Sequence, residues 1–181
     1  MSSAPASNAP HPLAGIDTPC LVLDEDRMLR NIARLKTRLA RLGVPLRPHL
    51  KTAKSIPAAR AVMDGLGGAA AVSTLQEAEA FAADGVTDIL YAVGIAPQKL
   101  DRVAALRRRG VDLSVVLDSV EQAAAVTAMA RMTGDRIPAL IEIDCDGHRA
   151  GLGTNDPLLV EIGRALHQGG AELRGVMAHA G

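Results

Sequence analysis

The sequence predicts an α/β protein built as a parallel (β/α)8 barrel of the TIM type, of which about six βα units are present. Short apolar runs alternate with helical runs of about ten to fifteen residues from Thr18 onward, a rhythm typical of βα units. The runs are mostly apolar throughout, as expected for strands covered on both faces. No GxGxxG motif follows the first run, which disfavours a dinucleotide-binding sheet. A closed barrel needs about 250 residues, so the chain is about two strands short.

Local signals place the individual elements. Asp24 is typical of a helix N-cap, apolar residues then recur every three or four positions, and Gly43 ends the helix. Further helices are predicted over 55–65, 75–83, 97–109, 120–132 and 156–168. Strands are predicted over 19–23, 46–50, 69–73, 88–93, 112–117, 138–143 and 173–178.

Composition excludes several classes of function. Lys plus Arg number 20 and Asp plus Glu number 20, and only Phe81 and Tyr91 are aromatic, so nucleic acid is not an expected partner. Cys20 and Cys145 form no CxxC pair, which disfavours a disulfide scaffold or a Cys-rich zinc site. No apolar run is long enough to predict a membrane span. We expect a cytoplasmic protein with a flexible tail over 1–15 and one domain over 16–181.

Catalytic groups of such barrels lie at the carboxyl ends of the strands, and Lys51 follows the predicted strand 46–50. A lysine that points into the barrel mouth is partly desolvated, and its amine can form a Schiff base with an aldehyde. The alternative is a solvated lysine beside Lys54. Both interpretations stay open from the residues alone.

Two more side chains follow predicted strands. Arg149 lies in a glycine-containing loop, where its guanidinium can donate paired hydrogen bonds to an anionic ligand. The alternative for Arg149 is a surface ion pair with Asp144 or Asp146. His179 can stack on a flat ring or relay a proton, and the alternative is a structural histidine. His148 with the two aspartates does not have the spacing of a calcium loop, so no metal site is predicted.

Four motifs then resemble one family. RPHLKTAK at 47–54 is similar to the lysine motif of the pyridoxal-phosphate enzymes of the alanine-racemase type, fold type III. The segment most resembles the D-threonine aldolase and D-serine dehydratase branch. DTPCLVLD at 17–24 resembles the opening of these proteins, IDCDGHRAG at 143–151 their arginine loop, and GVMAHAG at 175–181 their sixth strand.

The resemblance implies a role for each candidate residue. Lys51 would carry pyridoxal phosphate and act as a base at the substrate Cα. Arg149 would lie near the ring oxygen or the substrate carboxylate, and His179 against the cofactor ring. The resemblance also implies a small amino acid as substrate and a homodimer for full-length members. We expect the chain to be the N-terminal part of such an enzyme, with a divalent metal only where a C-terminal β domain is present.

Three functions stay open at this point. The first, which we expect, is a lyase that cleaves or dehydrates a β-hydroxy D-amino acid. The second is an amino-acid racemase of the same fold, which needs a second base on the opposite face of the cofactor. The third is a non-enzymatic pyridoxal-phosphate homeostasis protein, whose lysine motif differs from the sequence at 48–51 and which lacks the opening strand.

Overall fold

One parallel sheet forms the centre of the molecule, for which a computed structural model describes residues 13–180. Its strands are β1 Ala69–Val72, β2 Asp88–Gly94, β3 Asp112–Leu117, β4 Pro138–Asp144, β5 Leu152–Gly153 and β6 Glu172–Ala178. The first four strands pair in chain order, and β4 pairs with the short β5 and with β6. Every pairing is parallel, which confirms the predicted class. Within the described residues the barrel is not closed, because β6 has β4 as its one strand neighbour.

Every predicted helix is present, with bounds within about three residues of those expected. The helices are α1 Glu25–Leu42, α2 Ile56–Met63, α3 Leu75–Ala83, α4 Leu100–Arg108, α5 Val120–Thr133 and α6 Leu158–Gly169. The Asp24 side chain accepts the Arg27 N–H at 2.9 Å, and Gly43 ends α1 with φ 65°. Ser119 and Gln122 form a reciprocal capping box at the start of α5. A 3-10 turn over Pro97–Lys99 precedes α4.

Two predicted strands are wrong, and one strand was missed. The segment 46–50 forms a single parallel bridge, in which the Leu50 N–H donates to Ala71 O and the Ala71 N–H to Pro48 O, each at 2.9 Å. Proline lacks the N–H that a continuous ladder needs, which limits pairing here. The segment 19–23 is exposed and forms no strand. The two-residue β5 is too short to give a periodic signal.

Most of the predicted tail, residues 1–12 of 1–15, lies outside the described residues. The core lies between the sheet and α2 to α6 and includes Tyr91, which is fully buried. The Tyr91 hydroxyl accepts a hydrogen bond from Lys99 Nζ at 2.9 Å, so its polar group is satisfied. By contrast, α1 buries none of its residues.

A close contact between α5 and α6 gives the first testable prediction. A Cβ at Gly169 would overlap Thr127 Cγ2, whereas a Cβ at Gly163 in the same helix would meet its nearest atom at an ordinary contact distance of 3.6 Å. We expect Gly169→Ala to lower the free energy of unfolding by about 1–3 kcal/mol through overpacking. Gly163→Ala is the matched control and should raise it by about 0.5–1 kcal/mol through helix propensity. Urea denaturation of the intact protein measures both, and equal stability of the two variants would contradict the packing argument.

Candidate active site

Polar side chains from five parts of the chain meet at one edge of the sheet. Parallel strands that pair in order have their carboxyl ends at the same edge, so the residues that follow them become neighbours. They are His49 and Lys51 before β1, Ser73 after β1, Asp118 after β3, Glu142 in β4, Arg149 in the loop after β4, and His179 after β6. The three predicted site residues all lie at this edge.

Lys51 lies on a turn rather than at the end of a strand. The Lys54 N–H donates to Leu50 O at 3.0 Å and closes the turn, and the Lys51 N–H donates to His49 Nδ1 at 3.3 Å. The Lys51 side chain is exposed. The predicted burial of this amine is therefore wrong for the described chain, because the preceding segment forms one bridge only and no strand covers the turn.

His49 links this turn to the end of β1. Its Nε2 lies 3.4 Å from Ser73 Oγ, and its ring is partly buried. Desolvation lowers the pKa of His49, the positive charges of Lys51 and His179 lower it further, and Glu77 opposes them. These effects favour the neutral form of the imidazole, and the structure places both Lys51 and His179 close enough to His49 to act on its charge.

Glu142 is a buried carboxylic acid within β4. Ile141 lies against α6, so the side chain of Glu142 faces the opposite, inner side of the sheet, where it is 4% exposed. Burial raises its pKa, the nearby Asp118 raises it further, and His179 opposes the shift. Sequence reasoning missed Glu142, although it is the one charged residue in the apolar run 137–143.

A bulge in β6 brings His179 to the same face as Glu142. Ala139 pairs with Leu173, but Leu140 pairs with Gly175, so the register shifts by one residue. Because side chains alternate between faces, this shift moves every later residue of the strand to the other side. Gly175 adopts φ 138°, which glycine tolerates. Glu142 then pairs with Met177, and His179 follows two positions later on the inner face.

The loop that carries Arg149 is held from both ends. Desolvation opposes the charged form of Asp144, but the backbone N–H groups of Gly147, Asp146 and Arg149 keep its pKa below the usual range. The Gly151 N–H donates to Asp118 Oδ2 at 3.1 Å. A Cβ at Gly151 would lie 2.8 Å from Asp144 N, so this loop admits glycine alone there. The Arg149 side chain is exposed, and its charge is not among those that act on His49 or Glu142.

Two further properties concern residues 13–180. No three side chains among the His, Cys, Asp and Glu of this range lie close enough together to hold a metal ion. None of its helices is both long and apolar enough to span a bilayer.

The buried acid predicts a pH-dependent stability. The raised pKa means that folding favours the protonated form of Glu142. Its contribution to the free energy of unfolding is therefore full below the ordinary pKa of a glutamate. That contribution is lost as the pH rises through the pKa of Glu142 in the folded protein. Gln has the same shape and cannot ionise. We expect Glu142→Gln to exceed wild type in unfolding free energy at about pH 8 by on the order of 1 kcal/mol, and this advantage to shrink towards pH 4.

Denaturation at both pH values tests the prediction. Glu161→Gln, on the exposed side of α6, is the control and should not change the pH dependence. A Glu142→Gln variant that loses stability equally at both pH values would contradict a buried protonated acid.

Comparison with known proteins identifies close relatives of this chain. A D-threo-3-hydroxyaspartate dehydratase from Delftia sp. (strain HT23) is 53% identical over 170 residues, which are 93% of this chain and 45% of the relative. Its solved structure matches with a TM-score of 0.88 and 52% identity over 91% of this chain and 44% of that one. A 3-hydroxy-D-aspartate aldolase from Paracoccus denitrificans is 34% identical over 92% of this chain and 43% of its own length.

More distant structures share the architecture. D-threonine aldolase from Filomicrobium marinum is 30% identical with a TM-score of 0.78, over 89% of this chain and 44% of that one. An alanine racemase from Bartonella henselae, solved with covalently bound pyridoxal phosphate, is 19% identical with a TM-score of 0.65, over 84% and 43% of the two chains, and shares the fold alone.

The family model described as alanine racemase, N-terminal domain, matches residues 23–181. The chain spans slightly less than half the length of the curated relatives it matches. The resemblance of its motifs is confirmed: this chain belongs to the alanine racemase N-terminal domain family, with D-hydroxyaspartate dehydratase, D-threonine aldolase and D-serine dehydratase among its homologues.

Proposed function

We propose that the domain over 16–181 is the cofactor-binding part of a pyridoxal-phosphate-dependent lyase that acts on a β-hydroxy D-amino acid. One observation carries this proposal. Of the four lysines of the chain, three have a partner for their ammonium group. Lys36 contacts Asp64 at 2.6 Å, Lys54 contacts Glu77 at 3.3 Å and Lys99 contacts Tyr91 at 2.9 Å. Lys51 is the remaining lysine, and the described residues leave its amine accessible at the edge where the strands end.

The residues at this edge fit pyridoxal phosphate. Its aldehyde requires an accessible primary amine, which Lys51 provides, and its anionic groups and flat ring suit a guanidinium and an imidazole. We assign Lys51 to hold the cofactor covalently, Arg149 to bind the ring oxygen or the substrate carboxylate, and His179 to lie against the ring. When bound, the cofactor supplies an electron sink that stabilises negative charge at the substrate Cα.

Proton transfer then falls to side chains of this chain. Lys51 Nζ takes or returns the proton at the substrate Cα, as the family resemblance implies. Glu142 lies inside the sheet near His179, and its raised pKa favours the protonated form, so we assign it as the candidate acid beside the base Lys51. A β-hydroxyl leaves more easily when an acid protonates it, which supports a lyase.

The substrate that the relatives favour is a 3-hydroxyaspartate. The Delftia protein is a dehydratase and the Paracoccus protein an aldolase for this type of compound. The higher identity to the dehydratase favours loss of water over cleavage of the Cα–Cβ bond. A racemase is disfavoured, since the alanine racemase described above shares the fold alone. Assembly as a homodimer, a cytoplasmic location and a divalent metal bound with a further domain stay predictions.

Covalent trapping tests the assignment of the lysine. Borohydride reduction of the intact protein with pyridoxal phosphate should label Lys51 and spare Lys54, because Glu77 engages the Lys54 ammonium. Lys51→Ala should abolish the label, whereas the matched variant Lys54→Ala should keep it. Arg149→Ala should weaken cofactor or substrate binding without moving the label. Peptide mapping that finds the cofactor on Lys36, Lys54 or Lys99 would overturn the assignment.

Product analysis separates the two reactions. Dehydration of D-threo-3-hydroxyaspartate yields oxaloacetate and ammonia, whereas cleavage of the Cα–Cβ bond yields glyoxylate and glycine. We expect oxaloacetate and ammonia, detected by coupled assay and mass spectrometry. Glycine as the main product would replace the dehydratase with an aldolase, and the absence of both products would reject the substrate.

A further inference from the structure

We propose that His49 is a positioning residue for Lys51, and that it fixes the Lys51 turn as a neutral imidazole within a ring of contacts that we call the lysine clamp. The clamp consists of His49, Ser73, Glu77 and Lys54 together with the turn 50–54. The functional meaning of the clamp rests on the proposed role of Lys51, but its geometry does not.

The first half of the clamp runs from the lysine to β1. The Lys51 N–H donates to His49 Nδ1 at 3.3 Å, and His49 Nε2 lies 3.4 Å from Ser73 Oγ. A ring nitrogen that accepts an N–H carries no proton, so the single proton of the neutral ring lies on Nε2. His49 therefore donates from Nε2 to Ser73 Oγ and accepts at Nδ1.

The second half returns from β1 to the turn. The Ser73 N–H donates to Glu77 Oε2 at 2.8 Å, and Glu77 Oε1 lies 3.3 Å from Lys54 Nζ. The Lys54 N–H donates to Leu50 O at 3.0 Å and so closes the ring of contacts. Glu77 is 8% exposed, although it is a carboxylate, so its position is well determined.

Backbone strain indicates that the clamp holds the turn against a local preference. Lys54 has φ 46°, a left-handed conformation that is uncommon for residues other than glycine. Such a conformation persists only where the surroundings impose it. Here the Glu77 ion pair holds the side chain of Lys54 while the Leu50 carbonyl holds its backbone.

The clamp makes the turn sensitive to acid. Protonation of His49 places a hydrogen on Nδ1, which removes the acceptor of the Lys51 N–H. The charged groups that act on His49 are Lys51 on the turn, Glu77 on α3 and His179 after β6, and Glu142 on β4 interacts with His179. Burial of the ring opposes protonation of His49 most strongly, and the positive charges of Lys51 and His179 add to this effect. We therefore expect the clamp to be lost only at a pH below the usual pKa of histidine, about 6.5.

Two substitutions of His49 separate the two ring nitrogens. Asn places an acceptor where Nδ1 lies and can receive the N–H of the residue two positions later. Gln reaches instead towards Ser73, as Nε2 does, and leaves the Lys51 N–H without an acceptor. We expect His49→Gln to slow covalent labelling of Lys51 by roughly tenfold. His49→Asn should label within about twofold of wild type, and its labelling should fall less steeply than that of wild type as the pH is lowered, because Asn does not titrate and only the protonation common to all lysine amines remains.

A second measurement requires no cofactor. Nitrogen-15 NMR of the histidine-labelled intact protein at pH 7.5 should show His49, assigned by its loss in His49→Asn, with the proton on Nε2. A proton on Nδ1, or a charged ring at that pH, would overturn the proposal whatever Lys51 binds. Equal labelling rates for His49→Gln and wild type would also overturn it. If wild type shows the expected tautomer but does not label at Lys51, the proposed function fails and the clamp remains.

Discussion

Parallel pairing of the strands in chain order is the constraint on which the rest of this molecule depends. It forces the carboxyl ends of β1, β2, β3, β4 and β6 to one edge, so residues as distant in sequence as His49 and His179 act on each other electrostatically. The β6 bulge completes this arrangement. Without the register shift at Leu140, the alternation of side chains would place His179 on the outer face, away from Glu142.

Charged side chains are arranged differently at the two ends of the sheet. At the amino ends, Arg174 donates to both oxygens of Asp112 at 2.8 and 2.9 Å and to Ser114 Oγ at 2.9 Å, and Arg107 adds a further bond to Asp112. These bonds, with Arg174 the largest contributor, hold the pKa of Asp112 below its usual range. At the carboxyl ends, Glu142 has no cationic partner of this kind within the described residues and tends to keep its proton. Ion pairs stabilise the amino ends. At the carboxyl ends the Lys54–Glu77 pair holds the turn, whereas Lys51 and Glu142 form no salt bridge within residues 13–180 and remain for chemistry.

The sequence predicted those features that local chemistry determines. Capping residues and glycines located the helices, and α3 runs over the residues expected for it. The sequence did not reveal features that depend on partners. Burial of Lys51 was expected from its place at the end of the predicted strand 46–50, but the two prolines at 45 and 48 restrict that segment to one bridge. Glu142 was missed because it lies inside a strand and not after one, where site residues were expected. The available signal was a single charge in an otherwise apolar run, since a buried charged group needs a specific reason. Gly175 within a strand was the available signal for the bulge.

The failure to form a strand before Lys51 is itself informative. A continuous ladder would fix Lys51 through regular backbone hydrogen bonds, as it fixes Tyr91 in β2. The prolines remove those bonds, so side chains must hold the turn instead. The lysine clamp supplies these side-chain contacts through His49, Ser73, Glu77 and Lys54. Side-chain contacts, unlike a backbone ladder, respond to protonation. The same prolines that weaken the strand therefore make the placement of Lys51 depend on the ionisation state of a histidine.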